Sequence, residues 1–180
     1  MEQEKLEAPA SNDGQGHSIA YSRSTTIRLM EALDANVHGN VHGGVIMRMV
    51  DEAAAIVAMK HARLPVVTAR VERFDFLAPA YLGNVVSVHC ALTYVGRTSM
   101  EVGVEVMAED LMTGETRRVA RSQVIYVALD KQGRPTPVPP LVPADADEQA
   151  RLAQAQLRRM RMKAIEGELA MIQNMSADGQ

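Results

Sequence analysis

The sequence is poor in several features that define particular classes of protein. Cys90 is the only cysteine, so no disulfide can form within the chain, and a reducing compartment is expected. Tryptophan is missing and aromatic residues make up 3%, which argues against a base-stacking platform for nucleic acid. No apolar run approaches the roughly 18 residues of a membrane span, and no N-terminal charged-then-apolar signal is present. We therefore expect a cytoplasmic protein with no nucleic-acid or membrane partner.

Enough apolar residues are present for one sizeable core. The chain has 180 residues, 47% of them hydrophobic, and a formal net charge of -3. Composition divides it into four parts. Residues 1–18 are polar and without periodicity, which predicts a disordered leader. Residues 19–143 form the predicted domain, 144–173 a terminal amphipathic helix, and 174–180 a flexible tail.

Alternating apolar and polar residues predict five strands, at residues 19–29, 66–77, 85–95, 100–108 and 117–129. An apolar helix is predicted over residues 43–61, and nearly all of its faces should be covered. The strand connections suit antiparallel neighbours, and no second helix is available as a crossover. We therefore predict an α+β fold, with a curled antiparallel five-stranded sheet around a long central helix. Its free edge predicts pairing with a second copy.

The terminal helix is rich in strong helix formers and has an apolar stripe, so we expect it to dock on a neighbouring surface or subunit. It also carries a basic cluster at residues 158–163. This cluster could bind phosphate or nucleic acid, but a solvated basic face is the interpretation that we favour.

The stretch from Asp34 to His61 joins a loop rich in Asn, His and Gly to the apolar helix. Gly43 and Gly44 stand at the helix start, where side chains do not obstruct the backbone N–H groups at the positive end of the helix dipole. Such a place can bind a phosphate or polarise a carbonyl oxygen. A simple entry turn would also accept two glycines.

Asp51 lies two turns inside this helix, where an ionised carboxylate is costly unless it is paired or used. It could form an ion pair with Arg48, or it could activate water or attack a carbonyl. Asn36 could orient a water or a thioester, or it could be a turn residue. His38 and His42 do not share a helical face, and no Cys or acidic ligand lies at metal-site spacing, so no metal is expected.

The position of Asp51 in the helix is far from the helix start at Gly43. Gly43 and Asp51 are eight residues apart, which is about 12 Å along a helix at about 1.5 Å per residue. A short Asp side chain does not easily reach a carbonyl held at Gly43. Our hypothesis is that the carboxylate that reaches this carbonyl belongs to the partner subunit.

Four stretches together resemble the hotdog-fold acyl-CoA thioesterases, in particular the cytosolic brain-type acyl-CoA hydrolase and its small bacterial relatives. They are NVHGNVHGGVIMRMVDEAAAIVA from Asn36, RFDFLAPAYLGN from Arg73, VGRTSMEV from Val95 and VALDKQGRPTPVPPL from Val127. The resemblance covers residues 20–143. It implies hydrolysis of acyl-CoA to free acid and CoA, with CoA as part of the substrate and no separate cofactor.

The resemblance also implies roles for individual residues. Asp51 would be the general base or nucleophile, and Asn36 of the other half of a hotdog pair would complete the site. Gly43 and Gly44 would hold the thioester oxygen. The turn Arg97-Thr98-Ser99 would lie along CoA. The family commonly builds trimers of dimers, which implies a homodimer at least and makes a hexamer an expectation.

Two alternatives remain at this stage. A hotdog hydratase would use an Asp and His pair, but Asp34, Asn36 and His38 have the wrong spacing and Asp51 would be left without a role. A non-catalytic acyl-CoA sensor would not need both Asn36 and Asp51. The N-terminal leader is too short for a fused helix-turn-helix domain.

Overall fold

The structure, a computed structural model, describes residues 16–177 and the side chains of residues 16–161. The predictions for residues 1–15 and 178–180 lie outside this range. A short 3₁₀ turn at Ala32–Asp34 precedes the long helix. The helices and strands are α1 Ile19–Ser22, β1 Ser24–Leu29, α2 Gly43–Ala62, β2 Val66–Phe76, β3 Asn84–Val95, β4 Ser99–Asp110, β5 Thr116–Ala128 and α3 Ala146–Ala177.

The five strands form one sheet in the order β1-β3-β4-β5-β2, and every neighbouring pair is antiparallel. The sheet curls around α2, which packs against its inner face. Side chains that point inward from the middle strands are fully buried, among them Val88, Leu92, Val102 and Tyr126. The predicted fold, one long helix wrapped by a five-stranded antiparallel sheet and followed by a C-terminal helix, is confirmed.

The first predicted strand is wrong over its first four residues. Ile19–Ser22 forms one turn of helix, closed by the Arg23 N–H donating to the Ile19 carbonyl at 3.2 Å. Alternation across four residues cannot separate a strand from a helical turn, and here the burial of Ile19 and Ser22 selects the turn.

Both ends of the described chain are more ordered than expected. His17 lies inside the predicted leader, yet its N–H donates to Pro140 at 3.0 Å and its carbonyl accepts from Val142 at 2.9 Å. At the other end, α3 continues to Ala177, four residues beyond its predicted end at residue 173.

Within one protomer, α2 is not covered on all sides as predicted. Met47, Ile56 and Met59 are each about 40–45% exposed. The neighbouring strand β2 is a sheet edge, and its Val67 and Val71 are similarly exposed. Met47, Val67 and Val71 form an apolar strip along α2 and β2, which is the surface that a second subunit would have to cover.

The outer face of the sheet is partly covered by α3. Ala155 is buried there, and Glu148 at the start of the helix is buried as well. Among the helices of residues 16–177, none is both long enough and apolar enough to span a bilayer.

Candidate active site

Asp51 is held by two hydroxyl groups from the sheet. The Thr68 hydroxyl donates to Oδ1 at 2.8 Å, and the Tyr126 hydroxyl lies 3.0 Å from the same oxygen and 2.8 Å from the Asp51 backbone carbonyl. Arg48 pairs instead with Glu52 at 3.5 Å. The structure therefore does not show the ion pair between Arg48 and Asp51.

The other carboxylate oxygen, Oδ2, has no hydrogen-bond partner among residues 16–161. Asp51 lines a cavity of about 370 Å³ whose walls are mostly apolar, formed by Met47, Val50, Val71, Phe74 and Val124 together with Arg48 and Thr68. A carboxylate fixed at one oxygen and open at the other can accept a proton from water or attack an electrophilic carbon.

Tyr126 acts as a donor in this arrangement. Its burial raises the pKa of the phenol well above the ordinary value, and the negative charge of Asp51 raises the pKa further. The raised pKa favours the protonated phenol. It can donate to Asp51 and has no role as a base.

The loop that carries Asn36 is closed by backbone bonds around Asp34. The Asp34 carbonyl accepts from the His42 N–H at 2.7 Å, and its buried carboxylate accepts from Arg28 at 2.7 Å and from the Glu31 N–H at 2.9 Å. Asp34 thus ties the start of the loop to the residue that caps α2.

Inside the loop, Asn36 is a turn residue and still has a free donor. Its Oδ1 accepts from the N–H groups of His38 at 2.8 Å and Asn40 at 3.2 Å, while Gly39 makes the turn with a φ of +79°. The Asn36 amide nitrogen Nδ2 has no acceptor among the described residues. Only this side of the amide remains available to a ligand.

The two glycines at the start of α2 differ. The Gly44 N–H donates to Nδ1 of the capping residue His42 at 2.9 Å. The Gly43 N–H has no acceptor within residues 16–161. A Cβ added at Gly43 would lie 3.2 Å from the Phe76 ring, so this backbone is also closely approached by β2. Of the two predicted oxyanion donors, only Gly43 is open in this protomer.

Asn36 and Gly43 share a second cavity of about 370 Å³, which is lined by Phe76, Leu77 and Val119 among others. Asp51 does not line it. The structure therefore brings Asn36 and Gly43 together and leaves Asp51 in a separate cavity of the same chain.

Arg97, Thr98 and Ser99 form the turn between β3 and β4. The Gly96 N–H donates to the Ser99 carbonyl at 2.7 Å, and the Arg97 side chain is exposed. Ser99 pairs with Val127, next to Tyr126 in β5, so the turn lies at the Asp51 end of the sheet.

Thr68 and Tyr126 were not identified from the sequence. Simple alternation places Thr68 with Arg70 and Glu72 on the polar outer face of β2. Register shifts between Thr68 and Arg70 and between Val71 and Arg73 interrupt this alternation, so Thr68 and Val71 both face α2. The sequence contains no signal for these bulges in β2. Tyr126 cannot be distinguished by sequence from the other residues of β5.

The chain is similar to known thioesterases. The family described as "Thioesterase superfamily" matches residues 38–115. The cytosolic acyl coenzyme A thioester hydrolase of Rattus norvegicus is 37% identical over 150 residues, which are 82% of this chain and 39% of that protein. The chain thus spans less than half the length of this relative. A Bacillus subtilis protein named as an uncharacterized acyl-CoA thioester hydrolase is 43% identical over 116 residues, covering 64% of this chain and 67% of the relative.

Solved structures agree with these sequence relatives. A hexameric acyl-CoA thioesterase has a TM-score of 0.80 at 36% identity and covers 84% of this chain and 97% of its own. The acyl-CoA hydrolase of Staphylococcus aureus, solved with butyryl coenzyme A and coenzyme A, has a TM-score of 0.76 at 35% identity and covers 89% and 98%. The chain belongs to the thioesterase superfamily, in its group of acyl-CoA thioester hydrolases.

Proposed function

We propose that the protein is an acyl-CoA thioesterase that hydrolyses acyl-CoA to the free acid and CoA. The observation that carries the proposal is the Asp51 carboxylate, which two hydroxyls hold at Oδ1 and which lines a cavity with mostly apolar walls. The named activity of the relatives supports it. The cytosolic relatives also support action in the cytoplasm.

A dimer formed through β2 would join the two half-sites. Along this edge strand, Thr68 marks the Asp51 cavity and Phe76 marks the cavity of Gly43. If two copies of β2 pair antiparallel about a two-fold axis near Glu72, Thr68 lies opposite Phe76 of the partner subunit. Asp51 of one chain then approaches the Asn36 and Gly43 cavity of the other, and the exposed apolar strip along α2 and β2 becomes buried.

In this shared site, water would attack the thioester carbon while Asp51 takes a proton from it. The Gly43 N–H, at the positive end of α2, would stabilise the oxyanion, and Nδ2 of Asn36 would orient the water or the thioester. The carbon–sulfur bond then breaks, and the CoA thiolate accepts the proton from Asp51. Direct attack by Asp51 through an acyl-enzyme anhydride, hydrolysed in a second step, uses the same residues.

The Staphylococcus aureus hydrolase gives independent support. It has been solved as alanine variants of an asparagine, of an aspartate 15 residues later, and of a threonine 17 residues after that. Asn36, Asp51 and Thr68 have the same spacing in this chain. The Arg97-Thr98-Ser99 turn lies at the Asp51 end of the sheet, where an arginine and two hydroxyls suit the phosphate or pantetheine part of CoA.

A thiol-release assay across acyl chain lengths tests the function. We expect turnover by the wild type and a loss of roughly 100-fold or more in Asp51→Asn. Glu52→Gln is the matched control, since Glu52 is on the same exposed face and pairs only with Arg48 in the described structure. Unchanged turnover in Asp51→Asn would refute the mechanism. If the wild type binds CoA tightly but does not turn over acyl-CoA, the alternative of a non-catalytic acyl-CoA sensor would be favoured.

The assembly and the absence of a cofactor are part of the proposal. We expect a homodimer at least, and a trimer of dimers by similarity to the hexameric thioesterase. Analytical ultracentrifugation distinguishes these states. CoA enters only with the substrate, so dialysis against EDTA should leave the rate of thiol release unchanged.

A further inference from the structure

Helix α3 crosses the outer face of its own sheet in its first half. Glu148 lies 4.0 Å from Arg23, which directly precedes the edge strand β1. Further along, Arg158 pairs with Glu101 on β4, and Nη1 of Arg159 is 2.6 Å from Glu72 on the opposite edge strand, β2. The helix rises roughly 16 Å between residues 148 and 159. This is close to the width of about 19 Å for four strand spacings.

Arg159 also lies beside the Tyr94 ring on β3, so at this point α3 has at most three strand spacings of its own sheet ahead of it, about 14 Å. The helix continues from Arg159 to Ala177, roughly 18 further residues or about 27 Å. In the dimer proposed above, the surface beyond β2 is the outer face of the partner's sheet. The proposed two-fold axis also passes near Glu72, the residue that Arg159 contacts.

A groove of about 820 Å³ runs beside α3 across that outer face. Six arginines line it: Arg23, Arg73, Arg118, Arg121, Arg151 and Arg158. Its floor is made of small or uncharged residues, including Ala91, Gly103 and Gln123.

The arginines of the groove exceed their carboxylate partners. Arg73 and Arg121 share the single carboxylate of Asp75, at 2.6 and 2.8 Å. Arg118 pairs with Glu105, and Arg158 pairs with Glu101. Arg23 lies 4.0 Å from Glu148. Six arginines thus face four carboxylates, those of Asp75, Glu101, Glu105 and Glu148, so the groove keeps an excess of positive charge and favours an acidic occupant.

The end of the chain has this composition. After Lys163 the sequence AIEGELAMIQNMSA contains two glutamates, Glu166 and Glu168, and no basic residue before Ala177. Its apolar residues Ile165, Leu169 and Ile172 recur at helical spacing. We propose that residues 164–177 of α3 occupy the arginine-lined groove of the partner subunit, so that the two chains exchange their C-terminal segments.

This exchange rests on the dimer of the proposed function but adds an interface separate from the active site. The glutamates of one chain would meet the arginine excess of the other, and the apolar stripe would cover Ala91 and Gly103. The two α3 helices would pass antiparallel to each other near the two-fold axis.

Disulfide trapping tests the exchange in the full-length protein. Gln123→Cys, in the groove, is combined with a cysteine at Ala164, Glu168 or Met171, which recur at helical spacing. We expect a reducible two-chain species on a denaturing gel in at least one combination. A disulfide within one chain, or no disulfide in any combination, overturns the proposal. Gln132→Cys, in an exposed turn outside the groove, replaces Gln123→Cys as the matched control and should give no two-chain species.

A chain that ends at Arg161 gives a second, independent measurement. Its dimer should dissociate at a protein concentration at least tenfold higher than for the full-length protein. Above that concentration, its thiol release per chain should remain within twofold of the wild type. An unchanged dissociation concentration overturns the exchange. Failure of the proposed enzymatic function would be seen separately, as the lack of thiol release by the full-length protein.

Discussion

The amide of Asn36 has a different task on each side. Its oxygen closes the loop by accepting from the N–H groups of His38 and Asn40, and its nitrogen is the side left for a ligand. The two interpretations that the sequence left open, turn residue and site residue, are therefore compatible. They can be separated because one uses the acceptor and the other uses the donor.

Asn36→Asp keeps the acceptor and removes the donor. We expect the melting temperature to change little, because the two loop bonds persist, and kcat for thiol release to fall at least tenfold, about 1.4 kcal/mol. Asn36→Ala, which removes both groups, should lower the melting temperature as well. Full activity in Asn36→Asp would show that Asn36 serves only the turn.

Tyr126 is expected to contribute to turnover by fixing Asp51. Tyr126→Phe removes one donor to the carboxylate, and we expect kcat to fall about tenfold with little change in KM. The alkaline limb of the pH–rate profile should stay unchanged, because the pKa of this phenol is raised far above its usual value. Tyr94→Phe, on the outer face beside Arg159, is the control and should keep the wild-type kcat. Equal effects of the two changes would contradict the assignment.

The sequence was sufficient to predict Asp51 as a site residue, but not to predict the residues that hydrogen-bond to it. Asp51 is conspicuous because a carboxylate within an apolar helix has to be explained. Thr68 is inconspicuous, since a threonine in a strand needs no explanation and only the register shifts in β2 turn it toward Asp51. The capping of Gly44 by His42 depends on a loop geometry that residue spacing does not specify.

Among the elements, α2 and strands β2 to β5 were predicted within about two residues at most ends, since their apolar periods are long. α1 was missed because four residues carry no measurable period. The segment after β5 is rich in proline, and its role depends on contacts far apart in sequence. His61, at the end of α2, is buried and its Nε2 lies 2.9 Å from the Pro139 carbonyl.

The burial of His61 predicts a loss of stability in mild acid, an effect that the hydrogen bond to Pro139 opposes only in part. Burial lowers the pKa of His61 below 6.5, and nearby His17 lowers it further. The folded state thus favours the neutral ring. Its contribution is fully present above the unfolded pKa of about 6.5 and is lost as the pH falls below that value toward the folded pKa.

His61→Gln can still donate to Pro139 but has no proton to gain. In thermal melts between pH 7.5 and pH 5, the melting temperature should fall less for His61→Gln than for the wild type. The difference between the two proteins should be constant above about pH 7 and change only below it. Parallel pH dependence of the two melting curves would show that another group is responsible.

For the whole molecule, the edge strand β2 relates the half-sites to each other. Asp51 is exposed in one protomer, although a carboxylate that acts on a thioester works best away from water. Thr68 and Phe76 are equally far from Glu72 along the strand, so one two-fold axis completes two sites at once. The free edge of the predicted sheet indicated that a second copy pairs with it, but the register of that pairing requires knowing which strand is the edge.

A mixed dimer tests this arrangement directly. Asp51→Ala and Asn36→Ala homodimers each lack one component in both sites and should be inactive. In a heterodimer, Asn36 of the first chain meets Asp51 of the second, so one of its two sites is intact. Random reassembly of equal amounts makes half of the dimers mixed, and the expected activity is about one quarter of the wild type. If both components came from the same chain, every site would lack one of them and the mixture would stay inactive.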